Sequence, residues 1–413
     1  MFLSGEFMKK IILFISIGIL FFSPLFCKSK KSKGDEYMKE NENVRIQNVM
    51  AKIRRGEDVQ VVALGGSITT GFNANPPKEK GWAGLFGQWL SDFADEYDCN
   101  LRFANEGVSG TDSAFGVARL EDHVLKLNPD LVILEYAMND QWLQPEVRQR
   151  TYEGIIRRIM NNTDTAILAL FVNERKSPYP SNQSEQQKIC EYYHIPYMSW
   201  KDTLFENDKN ASFEPFFDGE ETVHPNNKGH DKISEFLENK WQSIWDTLPE
   251  NDSEIPSPIK ELPSPLVSDD FENAIYYHNA NLKPKTNSGW EQNSPVHSEW
   301  VSHGAAKKGW ETNVSGAEIT FEITGKSIGI TYCESDQFRD AIAWVEYPDG
   351  TEGKRIPLNC YVSYRKGYLG WAYKELVHEN DAKKFVVHIQ CSKRAPKSAA
   401  GKFCNITGIL VTK

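Results

Sequence analysis

Hydrophobic and polar positions along the chain follow two different periods. From about residue 45 to residue 247, compact apolar runs alternate with stretches of helical spacing. The run VQVVALG at 59–65 is β-branched and almost continuously apolar, which predicts a strand buried on both faces. Residues 82–97 carry apolar positions at helical spacing, 101–107 reads as a strand, and 113–127 as a helix. The strongest strand signal after the first is DLVILEYAMND at 130–140; a helix near 147–160, a strand at 166–172 and an amphipathic helix at 227–248 follow. Strand and helix in alternation predict a parallel sheet covered on both faces, a flavodoxin-like α/β/α layering.

A polar segment then interrupts. Pro256, Pro258, Pro263 and Pro265 stand among serines and acids at 248–268 and predict an extended linker or a strap lying over a surface. Beyond it the period becomes two. AEITFEITGKSIGITY at 317–332, DAIAWVEYPDG at 340–350, KFVVHIQCS at 384–392 and ITGILVTK at 406–413 read as short strands between Gly and Pro-Asp-Gly turns. Residues 269–413 are thus expected to form an all-β, jelly-roll-like sandwich rich in aromatics, among them Trp290, Trp300, Trp310, Trp344 and Trp371. The expected domain limits are 45–247 for the α/β unit, 248–268 for the linker and 269–413 for the β unit.

The N-terminus breaks both patterns. Lys9 and Lys10 precede an apolar run at 11–22, too short to span a bilayer, which takes about 20 residues. Residues 1–27 read as an export signal and 28–44 as a polar tether, with Cys27 the candidate site of a lipid anchor. The chain is then expected outside the cytoplasm: secreted, periplasmic or at the cell surface. The six later cysteines permit disulfides there, with no pairing fixed by sequence. Their spacing fits no metal site. A net charge of −10 over 413 residues argues against nucleic acid as a partner.

Candidate chemistry lies where the predicted strands end. The first strand runs into Gly65-Gly66-Ser67-Ile68-Thr69, which places a serine hydroxyl on a tight turn at the carboxyl edge of the sheet, where ligands of such sheets bind. The turn is not a GxSxG elbow, and it lacks the lysine of a phosphate-binding loop. The second strand leads into NEGVSGTDS at 105–113, the third ends in Asn139-Asp140, and DGEETVHPNNKGH at 218–230 introduces the last helix.

These four blocks in order, over residues 55–245, resemble the SGNH, or GDSL-like, hydrolases. The resemblance implies that Ser67 is the nucleophile and His224 the general base. It implies an oxyanion hole made of the Ser67 N–H, the Gly110 N–H and the Asn139 side-chain amide. The acid stays open. The family places an Asp three residues before the histidine, where this chain has Glu221; Asp218 is the rival, and a dyad with a backbone carbonyl is the third option. Ala137 stands where the family has glycine. No cofactor is implied, since the serine supplies its own nucleophile.

Other side chains read as structural: Asp140 as a cap or loop anchor, Arg119 as half of an ion pair, His230 as a helix-surface or capping residue. His123 and His194 have no matching partners. Trp82 and Trp142 are candidates for stacking on a sugar, with a place in the core the competing assignment. The layout resembles acetylxylan-type esterases that join an SGNH domain to a jelly roll. The function implied is a serine esterase removing O-acetyl groups from a polysaccharide or oligosaccharide. A lipase or thioesterase of the same fold and a non-catalytic carbohydrate-binding surface protein are the competing readings.

Overall fold

A computed structural model describes residues 42–176, 182–291, 309–363, 369–394 and 403–413. The expected export signal, most of the tether, Cys27 and Trp300 lie outside the described residues.

The first sheet is parallel, in the order β2-β1-β3-β4-β5. Its strands are β1 (Val59–Gly65), β2 (Leu101–Gly107), β3 (Leu131–Glu135), β4 (Ala166–Phe171) and β5 (Tyr197–Ser199). This is the flavodoxin-type doubly wound order. Alternation along β1 explains its nearly unbroken apolar run. Val59, Val61 and Ala63 enter one core layer with α1 (Val44–Arg54), α2 (Trp82–Asp95), α6 (Trp200–Asn207) and α7 (Asn227–Trp245). Val62 and Leu64 enter the opposite layer with α3 (Ser113–His123), α4 (Pro145–Met160) and α5 (Gln183–Tyr192). A strand covered on both sides has no position to give to water.

The proline-rich segment is strapped to this domain. Its carbonyls accept from Arg45 at Ile259 and from Arg157 at Pro263. The amides of Leu266, Val267 and Ser268 all donate to the buried Glu153 carboxylate.

The second domain is antiparallel, its main path running β11-β10-β12-β9-β13-β6. These strands are β6 (Ile275–Tyr277), β9 (Glu318–Ser335), β10 (Ala341–Glu346), β11 (Ile356–Leu358), β12 (Leu369–Cys391) and β13 (Cys404–Val411); the short β7 (Thr286–Asn287) and β8 (Trp310–Thr312) pair with β9 and β13. β9 and β12 are long, and their pairing shifts register between Glu375 and Val377 and between His378 and Lys383. Such irregularities bend a strand pair. Along β9 the core residues change parity across that region, from Ile319, Phe321 and Ile323 to Ile328, Ile330 and Tyr332. Both arms of the strand therefore face one core.

The two domains share buried side chains. Tyr373 and Leu410 join the core layer under α3 and α4, while Val108 and Phe115 join the core of the β domain. The Phe115 and Trp371 rings stack with centroids 4.9 Å apart. Arg150 on α4 forks onto both Glu375 carboxylate oxygens at 2.8 Å, and its other arm reaches Asp270 at 3.2 Å. A bidentate, largely buried pair of this kind fixes orientation more than it adds stability.

Candidate active site

The strands β1, β2 and β3 end side by side, with Gly65 in register with Gly107 and with Glu135. The loops leaving them bring Ser67, Gly110 and Asn139 to one cavity, and the loop before α7 adds His224. Ser67 Oγ lies 2.8 Å from His224 Nε2, hydrogen-bonding distance between partners 157 positions apart in sequence. The turn that carries Ser67 is held from below. Phe72 N–H and Thr70 Oγ1 both donate to the Ser67 carbonyl, and Asn105 Nδ2 donates to the Thr69 carbonyl. A Cβ on Gly66 would sit 2.4 Å from Asn139 Oδ1, so this glycine is what lets the third block approach the first. Gly110 has φ +72°, left-handed backbone that suits glycine at the other wall.

His224 is fixed from several sides. Asn73 Nδ2 donates to its carbonyl, and the Phe72 ring packs 4.4 Å from its imidazole. Glu221 Oε1 stands 3.4 Å from Nδ1. That oxygen already accepts from the backbone amides of Thr222, Val223 and His224, at 3.0, 2.9 and 3.2 Å. Nδ1 has no hydrogen bond of good geometry, so Glu221 faces it across a long contact that becomes an ion pair when the imidazole takes up a proton. The adjacent His224 ring and the amides hold the Glu221 carboxyl down to about 2. Asp218 faces elsewhere and accepts from Asn226 Nδ2 at 2.8 Å.

Several residues differ from expectation. Trp82 is fully buried in the core and not available for stacking. Trp142 is 79% exposed and lines the cavity. His230 is not at the surface: it is buried, its Nδ1 accepts from the backbone N–H of Trp82 at the first residue of α2, and its Nε2 faces the Phe72 carbonyl, both at 3.2 Å. Burial pushes it down to about 4, so it stays a neutral bridge behind the Ser67 loop. Arg119 is buried without a carboxylate on its guanidinium; it donates to the carbonyls of Glu106 and Gly65 and to the Tyr136 hydroxyl, pinning the ends of β1 and β2. Asp140 accepts from Ser113 N–H at 2.8 Å and from Gln186, so it ties the third block to the start of α3.

The cavity measures about 560 Å³. Part of its wall comes from the β domain, through Glu334, Leu369 and Trp371. No motif marks these positions, since only the docking of the two domains makes them neighbours of Ser67. Burial pushes the Glu334 carboxyl up to about 7, with Asp112 opposite adding to the rise. Among the described residues, no group of three or more His, Cys, Asp or Glu is placed to hold a metal ion. No helix among them is long and apolar enough to cross a membrane.

With fold and site in place, comparison with known proteins agrees. Residues 63–232 match the GDSL-like Lipase/Acylhydrolase family. Among solved structures, a two-domain esterase active on acetylated mannans has a TM-score of 0.76 at 21% identity, over 90% of this chain and 95% of that one. An esterase of the same description, co-crystallised with mannopentaose, gives a TM-score of 0.75 at 20% identity over the same shares. At this identity the likeness is one of fold, and it extends through both domains. No curated protein matches the chain in sequence.

Proposed function

We propose that the chain is a serine esterase that removes acetyl groups from an acetylated polysaccharide, its binding cleft built by both domains. The observation that carries the chemistry is the 2.8 Å contact between Ser67 Oγ and His224 Nε2 inside a cavity. Ser67 Oγ attacks the acetyl carbonyl while His224 Nε2 takes its proton. His224 then protonates the departing sugar oxygen, and water repeats the sequence to release acetate. The Ser67 and Gly110 amides and the Asn139 side chain are the donors for the oxyanion, one such donor being worth about 2.7–4 kcal/mol. Glu221 orients and electrostatically supports the imidazolium; its distance and its low pKa favour it over Asp218.

The substrate class rests on the cleft. Trp142 offers flat aromatic surface beside Ser67, suited to a pyranose ring, and Glu334 and Asp112 offer acceptors for its hydroxyls, while the buried Trp371, stacked on Phe115, backs the wall. The two-domain esterase of like fold is active on acetylated mannans, which makes mannan the first substrate to try and xylan the second. The export signal expected at residues 1–27 would deliver the enzyme to such polymers. Acetate release from acetylated glucomannan and acetylated xylan tests this. Turnover of either, lost in Ser67→Ala, is the expected result. Turnover restricted to long-chain acyl esters would replace the carbohydrate reading by a lipase.

A further inference from the structure

Glu135 closes β3 beside the turn that carries Ser67, in register with Gly65. Its side chain and that of Thr69 are both fully buried. Thr69 Oγ1 donates to Glu135 Oε2 at 3.0 Å. The hydroxyl fits there because Gly65 has no side chain: a Cβ on that residue would sit 2.1 Å from Thr69 Oγ1. Gly65 lies two residues before Ser67 and Thr69 two after it, so one hydrogen bond ties the far limb of the turn to the end of β3. Asn139 follows four residues after Glu135 on the same segment. The contact therefore sets Ser67 against the third block as well as against its own strand.

The Glu135 carboxyl is poorly equipped to carry charge. Its Oε1 is buried with no hydrogen-bond partner among the described residues. Glu153, equally buried, receives three backbone amides and the Tyr193 hydroxyl. The ionisable groups around the turn do not compensate. Arg119 on α3 gives its donors to two carbonyls and the Tyr136 hydroxyl. Burial holds Asp140 well above the usual carboxylate range, Tyr152 on α4 well above the usual phenol range, and His230 on α7 down to about 4, so all three are neutral. We propose that Glu135 and Thr69 form a latch that positions the Ser67 hydroxyl for attack, with Glu135 working as a neutral acid. This role rests on Ser67 being the nucleophile. Thr69 holds its limb of the turn, and the proton keeps negative charge away from a site where an oxyanion must form. Burial pushes the Glu135 carboxyl up to about 7, against the pull of the Thr69 hydroxyl and the Gly66 amide. Loss of that proton should slow acylation without weakening substrate binding.

The full chain and its Thr69→Val, Thr69→Ser and Glu135→Gln variants, assayed on 4-nitrophenyl acetate across neutral pH, give the test. The rate at which a fluorophosphonate phosphonylates Ser67 is read alongside. Thr69→Val should lower kcat by about 10- to 100-fold at unchanged KM and slow phosphonylation by the same factor. Thr69→Ser, which keeps the hydroxyl, should restore most of both rates. Wild-type kcat should fall as pH rises through about 7, and Glu135→Gln, which cannot ionise, should lack that fall. Should Thr69→Val not fold, the pH profile of Glu135→Gln decides alone. Wild-type rates in Thr69→Val, an equal loss in Thr69→Ser, or one and the same pH profile in wild type and Glu135→Gln overturns the latch. A wild type that neither hydrolyses ester nor takes the phosphonate overturns the serine mechanism itself.

Discussion

The two halves of the cleft differ in how their residues arrive. On the α/β side, Ser67, Gly110 and Asn139 each follow a strand end directly, so a parallel sheet in the order β2-β1-β3 lines them up without further help. On the β side, Glu334 and Trp371 sit near the ends of two paired strands, β9 and β12, and reach the cleft only because that sheet docks through Phe115, Tyr373 and Arg150. The first kind of site is built by local topology, the second by tertiary docking. Chemistry should therefore belong to the first half and choice of substrate to the second.

Substitutions can break that division, beginning with the largest effects. Ser67→Ala and His224→Ala should each lower kcat by about 10⁴-fold or more on any ester, with circular dichroism unchanged. Asn139→Ala should lower kcat by about 10²–10³-fold, again on polymer and small ester alike. Glu221→Ala should cost about 10²-fold, while Asp218→Ala leaves kcat/KM unaltered; the reverse order would move the acid to Asp218. Glu334→Gln should raise KM for the polysaccharide by about two- to tenfold and leave hydrolysis of 4-nitrophenyl acetate as it was. The smallest effect concerns His230. Its folded pKa of about 4 lies below the ordinary value of 6.5, so between those limits the unfolded chain binds the extra proton. Stability should then fall as pH drops from 6.5 toward 4, and thermal melts of His230→Gln should show a flatter dependence over that window.

The same division explains what could be read from sequence. The α/β architecture was legible from the alternating periods of the chain, while the pairing of Ser67 with His224, 2.8 Å apart, followed only from the resemblance of four ordered blocks to a known family. The β strands were legible from their alternation. Contacts between distant elements were not. Trp82 was expected near the site, but it faces the core layer of α7. His230 looked like a surface residue of an amphipathic helix, yet the fold turns it against Trp82 and Phe72. Arg119 suggested an ion pair because arginine is rarely buried otherwise; strand-end carbonyls and a tyrosine hydroxyl hold it instead. Glu334 carried no signal, since its place in the cleft depends on Asp112, more than two hundred positions earlier, as well as on the paired strand β12.

The most direct measurement is kcat/KM for acetate release from acetylated mannan and from 4-nitrophenyl acetate, with wild type, Ser67→Ala and Glu334→Gln compared side by side. Loss of both activities in Ser67→Ala, with loss on mannan alone in Glu334→Gln, is the predicted outcome. Activity surviving in Ser67→Ala, or an equal loss on both substrates in a folded Glu334→Gln, would contradict a site whose chemistry and recognition come from different domains.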